Sequence, residues 1–193
     1  MNRRLKDEIT NVISKAKIVK NLARKKFISS FVLGLVKSRN VQFCEVARHL
    51  NNDAKTVSNE IRIQDFFREA EIDYKQVAIL LTCMLPSDQK SRLCIDRTEW
   101  NFGKTQVNIL MIIAGCGDFQ IPLYWELLDN KSGNSSSDNR INLLDLCLKV
   151  IGKERIGYIV GDREFIGHKW VKYLKYNDIK FVMRLPKHHT IQY

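Results

Sequence analysis

Ile156-Gly157-Tyr158-Ile159-Val160-Gly161-Asp162-Arg163-Glu164-Phe165-Ile166-Gly167 decides how the rest of the chain is read. Ile156–Val160 is a short apolar, β-branched run bounded by glycines, which predicts a buried strand ending at Gly161-Asp162. Before it, Asn139–Ile151 predicts a helix with Ile141, Leu144, Cys147, Leu148 and Ile151 on one face, and Gly152 stands where a C-terminal glycine belongs. After it, His168–Tyr176 predicts a helix with Trp170, Val171 and Leu174 inward, then a last strand over Ile179–Arg184. Strands separated by helices need crossovers, and crossovers make the strands parallel.

Upstream, Leu93-Cys94-Ile95-Asp96 is a short apolar run ending in a carboxylate. Val107–Ala114 predicts a buried strand, Gly115-Cys116-Gly117-Asp118 a turn, and Ile121–Leu127 the next strand. Ser132–Ser137 reads as a loop that caps the helix after it. The expected fold is therefore α/β: a three-strand meander, then helix, strand, helix, strand, giving a mixed sheet with flanking helices.

The first third has a different texture. Phe27, Phe31, Leu35 and Val36 recur at helical spacing, and Ser38-Arg39-Asn40 breaks the pattern. Val41–Leu50 is a second amphipathic stretch, Asn51-Asn52-Asp53 a turn, and Lys55–Ile63 a helix restart. Two short helices around a polar turn in a basic region form a helix-turn-helix pattern, in which Lys55, Thr56, Ser58, Asn59 and Arg62 would read DNA. Plain helical packing produces the same pattern. The expected division is a basic helical region over 1–69, a connecting helical segment over 70–90, and a sheet domain over 91–193.

Composition supports a polyanionic partner. The 193 residues carry a net charge of +11, and residues 1–60 hold thirteen Lys/Arg against five Asp/Glu, or +8. Charge concentrated in this way most often serves nucleic acid, although it can also be a solvated basic surface. Five scattered cysteines without a Cys-x-x-Cys pair argue for a reducing cytoplasm and against a zinc site. Charge interrupts Met1–Lys20 every few residues, and the longest apolar run, Ile109–Gly115, is too short to span a bilayer. A cytoplasmic protein with no membrane partner is expected.

Three segments carry a family resemblance. They are Asp96-Arg97-Thr98-Glu99-Trp100-Asn101-Phe102-Gly103, Asn108-Ile109-Leu110-Met111, and the Asp162-Arg163-Glu164-Phe165-Ile166-Gly167 segment quoted above. They resemble the catalytic motifs of DDE-type transposases of bacterial insertion sequences, in particular the insertion-sequence-four group. Arg62-Ile63-Gln64-Asp65-Phe66-Phe67 resembles that group's junction between DNA-binding and catalytic regions. The resemblance implies a ribonuclease-H-like catalytic domain in which the strands bearing Asp96 and Asp162 lie side by side. It also implies duplex DNA partners (terminal inverted repeats and target DNA), action as a homodimer on DNA, and phosphodiester hydrolysis followed by strand transfer.

Asp96 and Asp162 would then be the first two catalytic, metal-binding carboxylates. Carboxylates about 4 Å apart repel by roughly 4 kcal/mol at an effective dielectric of 20, so a cation between them, or a proton on one, is required. Hard divalent ions with oxygen ligands fit, so Mg2+ or Mn2+ is expected, as a two-metal site in an intact enzyme. Read alone, an aspartate at a strand end is more often a turn or cap residue. Arg97 and Arg163 could each hold DNA phosphate or pair with an acid.

One departure from the family stands out. The group's glutamate lies in a Tyr-x-x-Arg-x-x-x-Glu-x-x-x-x-x-x-Lys pattern, and no such spacing occurs before Tyr193. Glu99 should point away from Asp96, and Glu164 already belongs to the second motif, so neither is expected to substitute. The expectation is a truncated product or decayed copy, with apolar surface open around Phe181, Met183 and the neighbouring strand. Two alternatives follow, a DNA-binding remnant without activity and another ribonuclease-H-like nuclease. Trp100 and Trp170 are expected as core anchors, and His188-His189 as solvated tail.

Overall fold

The computed structural model describes residues 2–50, 52–128 and 133–185. The chain divides into two compact units, Met1–Val77 and Ala78–Tyr193. Asn51, Ser132 and His188-His189, which the sequence placed in turn, loop and tail, lie outside the described residues.

The first unit is helical: α1 (Asn2–Ala16), α2 (Leu22–Ser38), α3 (Phe43–Ala47), α4 (Thr56–Glu69) and the start of α5 (Tyr74–Thr82). Asn21 caps α2 by accepting the Ala23 N–H, and Arg39 ends it in the left-handed region at φ 50°. Phe27, Phe31 and Leu35 pack against Val46, Ala47, Leu50 and Ile63, as their spacing predicts. Val36 falls off that face and is exposed. A Cβ on Gly34 would stand 2.9 Å from Val46 Cγ1, so glycine is what lets α2 approach α3.

Phe66 and Phe67 extend this packing, with ring centroids 4.8 Å from Phe27 and 5.3 Å from both Phe31 and Phe43. The Arg62–Phe67 segment thus has a structural reason to hold two adjacent aromatics. The link between α3 and α4 runs over residues 48–55, longer than the tight three- or four-residue turn of a helix-turn-helix.

The second unit is a five-stranded mixed sheet with flanking helices. Its strands are β1 (Ser91–Phe102), β2 (Thr105–Cys116), β3 (Phe119–Leu128), β4 (Ile156–Gly161) and β5 (Phe181–Met183), in the order β3-β2-β1-β4-β5. β1, β2 and β3 are antiparallel neighbours, and β4 and β5 run parallel to β1. The parallel strands are reached through α6 (Ser137–Ile151) and α7 (His168–Tyr176). α6 opens with a Ser136/Asn139 capping box and closes at Gly152, φ 81°. Leu143, Leu144, Cys147, Ile151, Trp170 and Leu174 join Leu93, Ile95, Ile112 and Ile159 in one core, so both helices cover the same face. Trp170 is fully buried, as expected, whereas Trp100 is half exposed and anchors no core. Val171 is only partly buried.

Two expectations are corrected here. β1 does not stop at Asp96 but continues to Phe102, because it pairs with β2 from Arg92↔Gly115 to Phe102↔Thr105 around Gly103, φ 59°. Also, Phe181 and Met183 pack against the core; it is Val182 between them, 59% exposed, that faces outward with Tyr158 and Val160. Successive strand residues point to opposite faces, so the open apolar surface expected around this strand and its neighbour is carried by Val182 and Tyr158 rather than by Phe181 and Met183.

Candidate active site

β1–β4 pairing brings the two chain segments that carry the aspartates alongside one another. The parallel register runs Leu93↔Ile159, Cys94↔Val160, Ile95↔Gly161; Asp96 follows within β1, and Asp162 follows just past the end of β4. Asp96 therefore sits where the parallel ladder ends, although it lies within β1 and faces Met111 across the antiparallel ladder. Both side chains are exposed. Each uses Oδ1 to accept the backbone N–H of the following arginine, at 2.8 Å from Arg97 and 2.7 Å from Arg163. Asp162, at φ −75° and ψ 176°, also caps the single 3-10 turn Arg163–Phe165. The cap role that an isolated aspartate suggests is thus present at Asp162.

Gly161, the last residue of β4, is closely surrounded. A Cβ there would lie 2.7 Å from Met183 Sδ and 3.1 Å from both Ile95 Cγ2 and Phe165 Cβ. Alternation sets Asp96 on the Cys94 face, opposite the helix-covered face of Leu93 and Ile95. The Cys94 thiol registers its neighbour: burial first, and then the Asp96 carboxylate, push its pKa up.

Arg97 points the other way, and its expected role as a DNA contact is corrected. Its side chain is 15% exposed and its guanidinium is filled by protein partners. Nε and Nη2 donate to the Glu164 carboxylate at 3.2 Å, and Nη1 donates to Glu99 at 3.3 Å and to Asn108 Oδ1 at 3.2 Å. The Glu164 hydrogen bond, above the other causes, raises the already high Arg97 pKa. This bridge ties β1 to the turn after β4, and so fixes the segments carrying the two aspartates relative to one another. Arg140 supports the same turn from α6. It is 4% exposed, donates to the Ser135 hydroxyl (2.8 Å) and carbonyl (2.6 Å), and lies over the Phe165 ring at 5.1 Å. Sequence reading missed Arg140 and assigned no separate role to Asn108, since a polar residue on a helix or strand face carries no local sign that it is turned inward.

Arg163 is exposed, with no ion pair among the described residues. Glu99 and Glu164 both pair with Arg97. Among the described residues no group of three or more His, Cys, Asp or Glu gathers where it could hold a metal ion. The aspartates alone supply a hard, anionic oxygen pair, which fits a divalent cation by donor chemistry and leaves other ligands to be supplied.

In the helical unit, Lys55, Thr56, Ser58 and Arg62 are exposed on the first turns of α4. Asn59 is corrected: it is 3% exposed, and its amide is spent internally. Its Nδ2 donates to Asn52 Oδ1 (2.8 Å) and the Ala47 carbonyl (3.3 Å), and its Oδ1 accepts from Asn52 Nδ2 (2.9 Å). It holds the 48–55 link in place and does not reach a ligand. No helix of the described residues is long and apolar enough to cross a membrane.

No family model matches the sequence, and no curated protein matches it significantly. Among solved structures, the chain is similar to one in a cryoEM structure of the simian T-cell lymphotropic virus intasome in complex with PP2A regulatory subunit B56 gamma. The identity is 10% and the TM-score 0.35, over 74% of this chain and 48% of that one. So distant a likeness decides neither fold family nor function.

Proposed function

We propose that this chain is a DDE-type transposase of the insertion-sequence-four kind, acting on duplex DNA through a ribonuclease-H-like domain, with Asp96 and Asp162 as metal-binding carboxylates. The observation that supports the reading is the β1–β4 register, which ends at Ile95↔Gly161, one residue before each of two aspartates 66 positions apart in the chain. The motif resemblance requires that juxtaposition, and composition alone would not produce it. Asp96 and Asp162 would hold Mg2+ or Mn2+, which when bound supplies Lewis-acid stabilisation of charge at phosphate oxygens. Arg97, Glu164 and Arg140 position the two carboxylate segments. The exposed Arg163 is suited to a phosphate beside them, and the basic helical unit supplies general affinity for the DNA backbone.

A second reading is favoured by the engagement of Glu99 and Glu164 with Arg97. With both glutamates committed, the described residues would bind DNA at a two-carboxylate site without cutting it.

Fluorescence anisotropy of a labelled duplex, with and without Mn2+, tests the main reading. Without metal, two carboxylates repel phosphate, so Asp96→Asn/Asp162→Asn should bind duplex at least as tightly as wild type. Mn2+ should tighten wild-type binding and leave the double variant unchanged. Equal Mn2+ dependence in both proteins, or no duplex affinity in either, would overturn the reading.

A further inference from the structure

The helical unit contains a pocket of about 290 Å3 between α1, α2, α4 and the residues before α4. Lys6, Lys26 and Arg62 line it together with Phe27, Ser30 and Asn52, and no carboxylate does. Three basic residues around one concavity with no acid in its lining repel one another, and an anion relieves that repulsion. Elsewhere in this unit basic residues do find acids, as in Arg4–Glu8, Arg48–Glu45 and Arg68–Asp65.

Two of the lining groups are held in place. The Arg62 guanidinium sits 5.9 Å from the Phe27 ring centroid, which orients its planar fork. Asn52 is clamped by the buried Asn59 through the reciprocal amide pair, which uses one of its two amide N–H donors and leaves the other for a ligand. Guanidinium, two ammonium groups and an amide N–H, all donors, match the acceptor-only surface of a phosphate group. The Ser30 hydroxyl gives its proton to the Lys26 carbonyl at 3.0 Å and so shapes the wall without binding.

We propose that Lys6, Lys26, Arg62 and Asn52 form a phosphate-binding pocket. This deepens the DNA-binding reading and rests on it for the source of the phosphate, a nucleic-acid backbone. A free phosphate or pyrophosphate presents the same chemistry.

The test is NMR on the full 193-residue chain, following the Arg62 Nε–H and Asn52 amide side-chain signals during titration with pyrophosphate. Both should shift. Arg62→Gln and, on a separate helix, Lys6→Gln should each weaken pyrophosphate binding about tenfold, the scale of a lost charge-assisted contact. Lys15→Gln/Lys20→Gln, which removes equal or greater charge from exposed positions of the same unit, should leave it unchanged. Displacement of pyrophosphate by added duplex DNA assigns the pocket to backbone phosphate. Shifts that duplex does not displace assign it to free phosphate. If pyrophosphate binds and the chain binds no duplex, the pocket stands and the DNA reading falls. No shift at Arg62 and Asn52, or equal losses in the pocket and control variants, overturns the pocket even where duplex binding persists.

Discussion

Arg97 and Arg163 follow their aspartates in the same way in sequence, yet they do opposite things. Arg97 turns beneath the helices to meet Glu164, Glu99 and Asn108, whereas Arg163 stays exposed. Because the Arg97–Glu164 pair is largely removed from solvent on both sides, each partner should matter to folding. Glu164→Ala and Arg97→Ala should each lower stability by about 1–3 kcal/mol in urea unfolding. The double variant should cost less than the sum, since one broken partner already strands the other. Additive losses would show that the bridge contributes nothing as a pair. Asn59→Ala should likewise cost about 1–3 kcal/mol by leaving Asn52 and the Ala47 carbonyl short of partners, while Lys55→Ala stays within about 0.5 kcal/mol. A neutral Asn59→Ala would remove its structural role.

At this scale the sequence was partly legible. Alternation along a strand, applied to Glu99, separates it from Asp96; applied equally to Arg97, it places that guanidinium on the Leu93 and Ile95 face. The inward turns of Asn59 and Arg140 could not be read in the same way. Both depend on partners brought in by folding, a backbone carbonyl twelve positions away for Asn59 and an aromatic ring from the turn after β4 for Arg140.

Elements were read more reliably in type than in extent. α6, β4 and α7 follow from apolar spacing with Gly152 as punctuation, because their buried faces are long and regular. β1 was cut short at Asp96 although Thr98, Trp100 and Phe102 alternate with Arg97, Glu99 and Asn101, a period-two pattern that sequence reading overlooked. Its strand character comes from pairing with β2, and the Gly103-Lys104 turn was a further signal. β5 is three residues long, too brief for a period to declare which side faces the core. The exposed position there makes a clean contrast: Val182→Asp should change stability by less than about 0.5 kcal/mol, whereas Leu144→Ala, at 0% exposure, should cost about 2–5 kcal/mol. Comparable losses would contradict the assigned faces. Gly161→Ala belongs to the element scale too. Met183 can move aside, but Ile95 and Phe165 lie close on either side, so overpacking should cost about 1–3 kcal/mol and disturb the Asp162 turn.

At the scale of the molecule, the proposed function assigns DNA affinity to the basic helical unit and the metal-binding carboxylates to the mixed-sheet unit. The +8 of residues 1–60 was legible from composition, and it predicts duplex affinity that falls with salt at a slope of about −0.9 for each phosphate neutralised. A flat salt profile would remove the electrostatic account. The carboxylate pair was legible only through the motif resemblance, since nothing local to Asp96 or Asp162 distinguishes it from a capping aspartate. What joins the two is the parallel pairing of β1 with β4, a long-range fact. The claim that this pairing builds a metal site is tested most directly by titrating Mn2+ into the whole chain in a calorimeter. Wild type should bind weakly, and Asp96→Ala and Asp162→Ala should each abolish the heat while keeping the fold. Undiminished Mn2+ binding in the double variant would contradict the account.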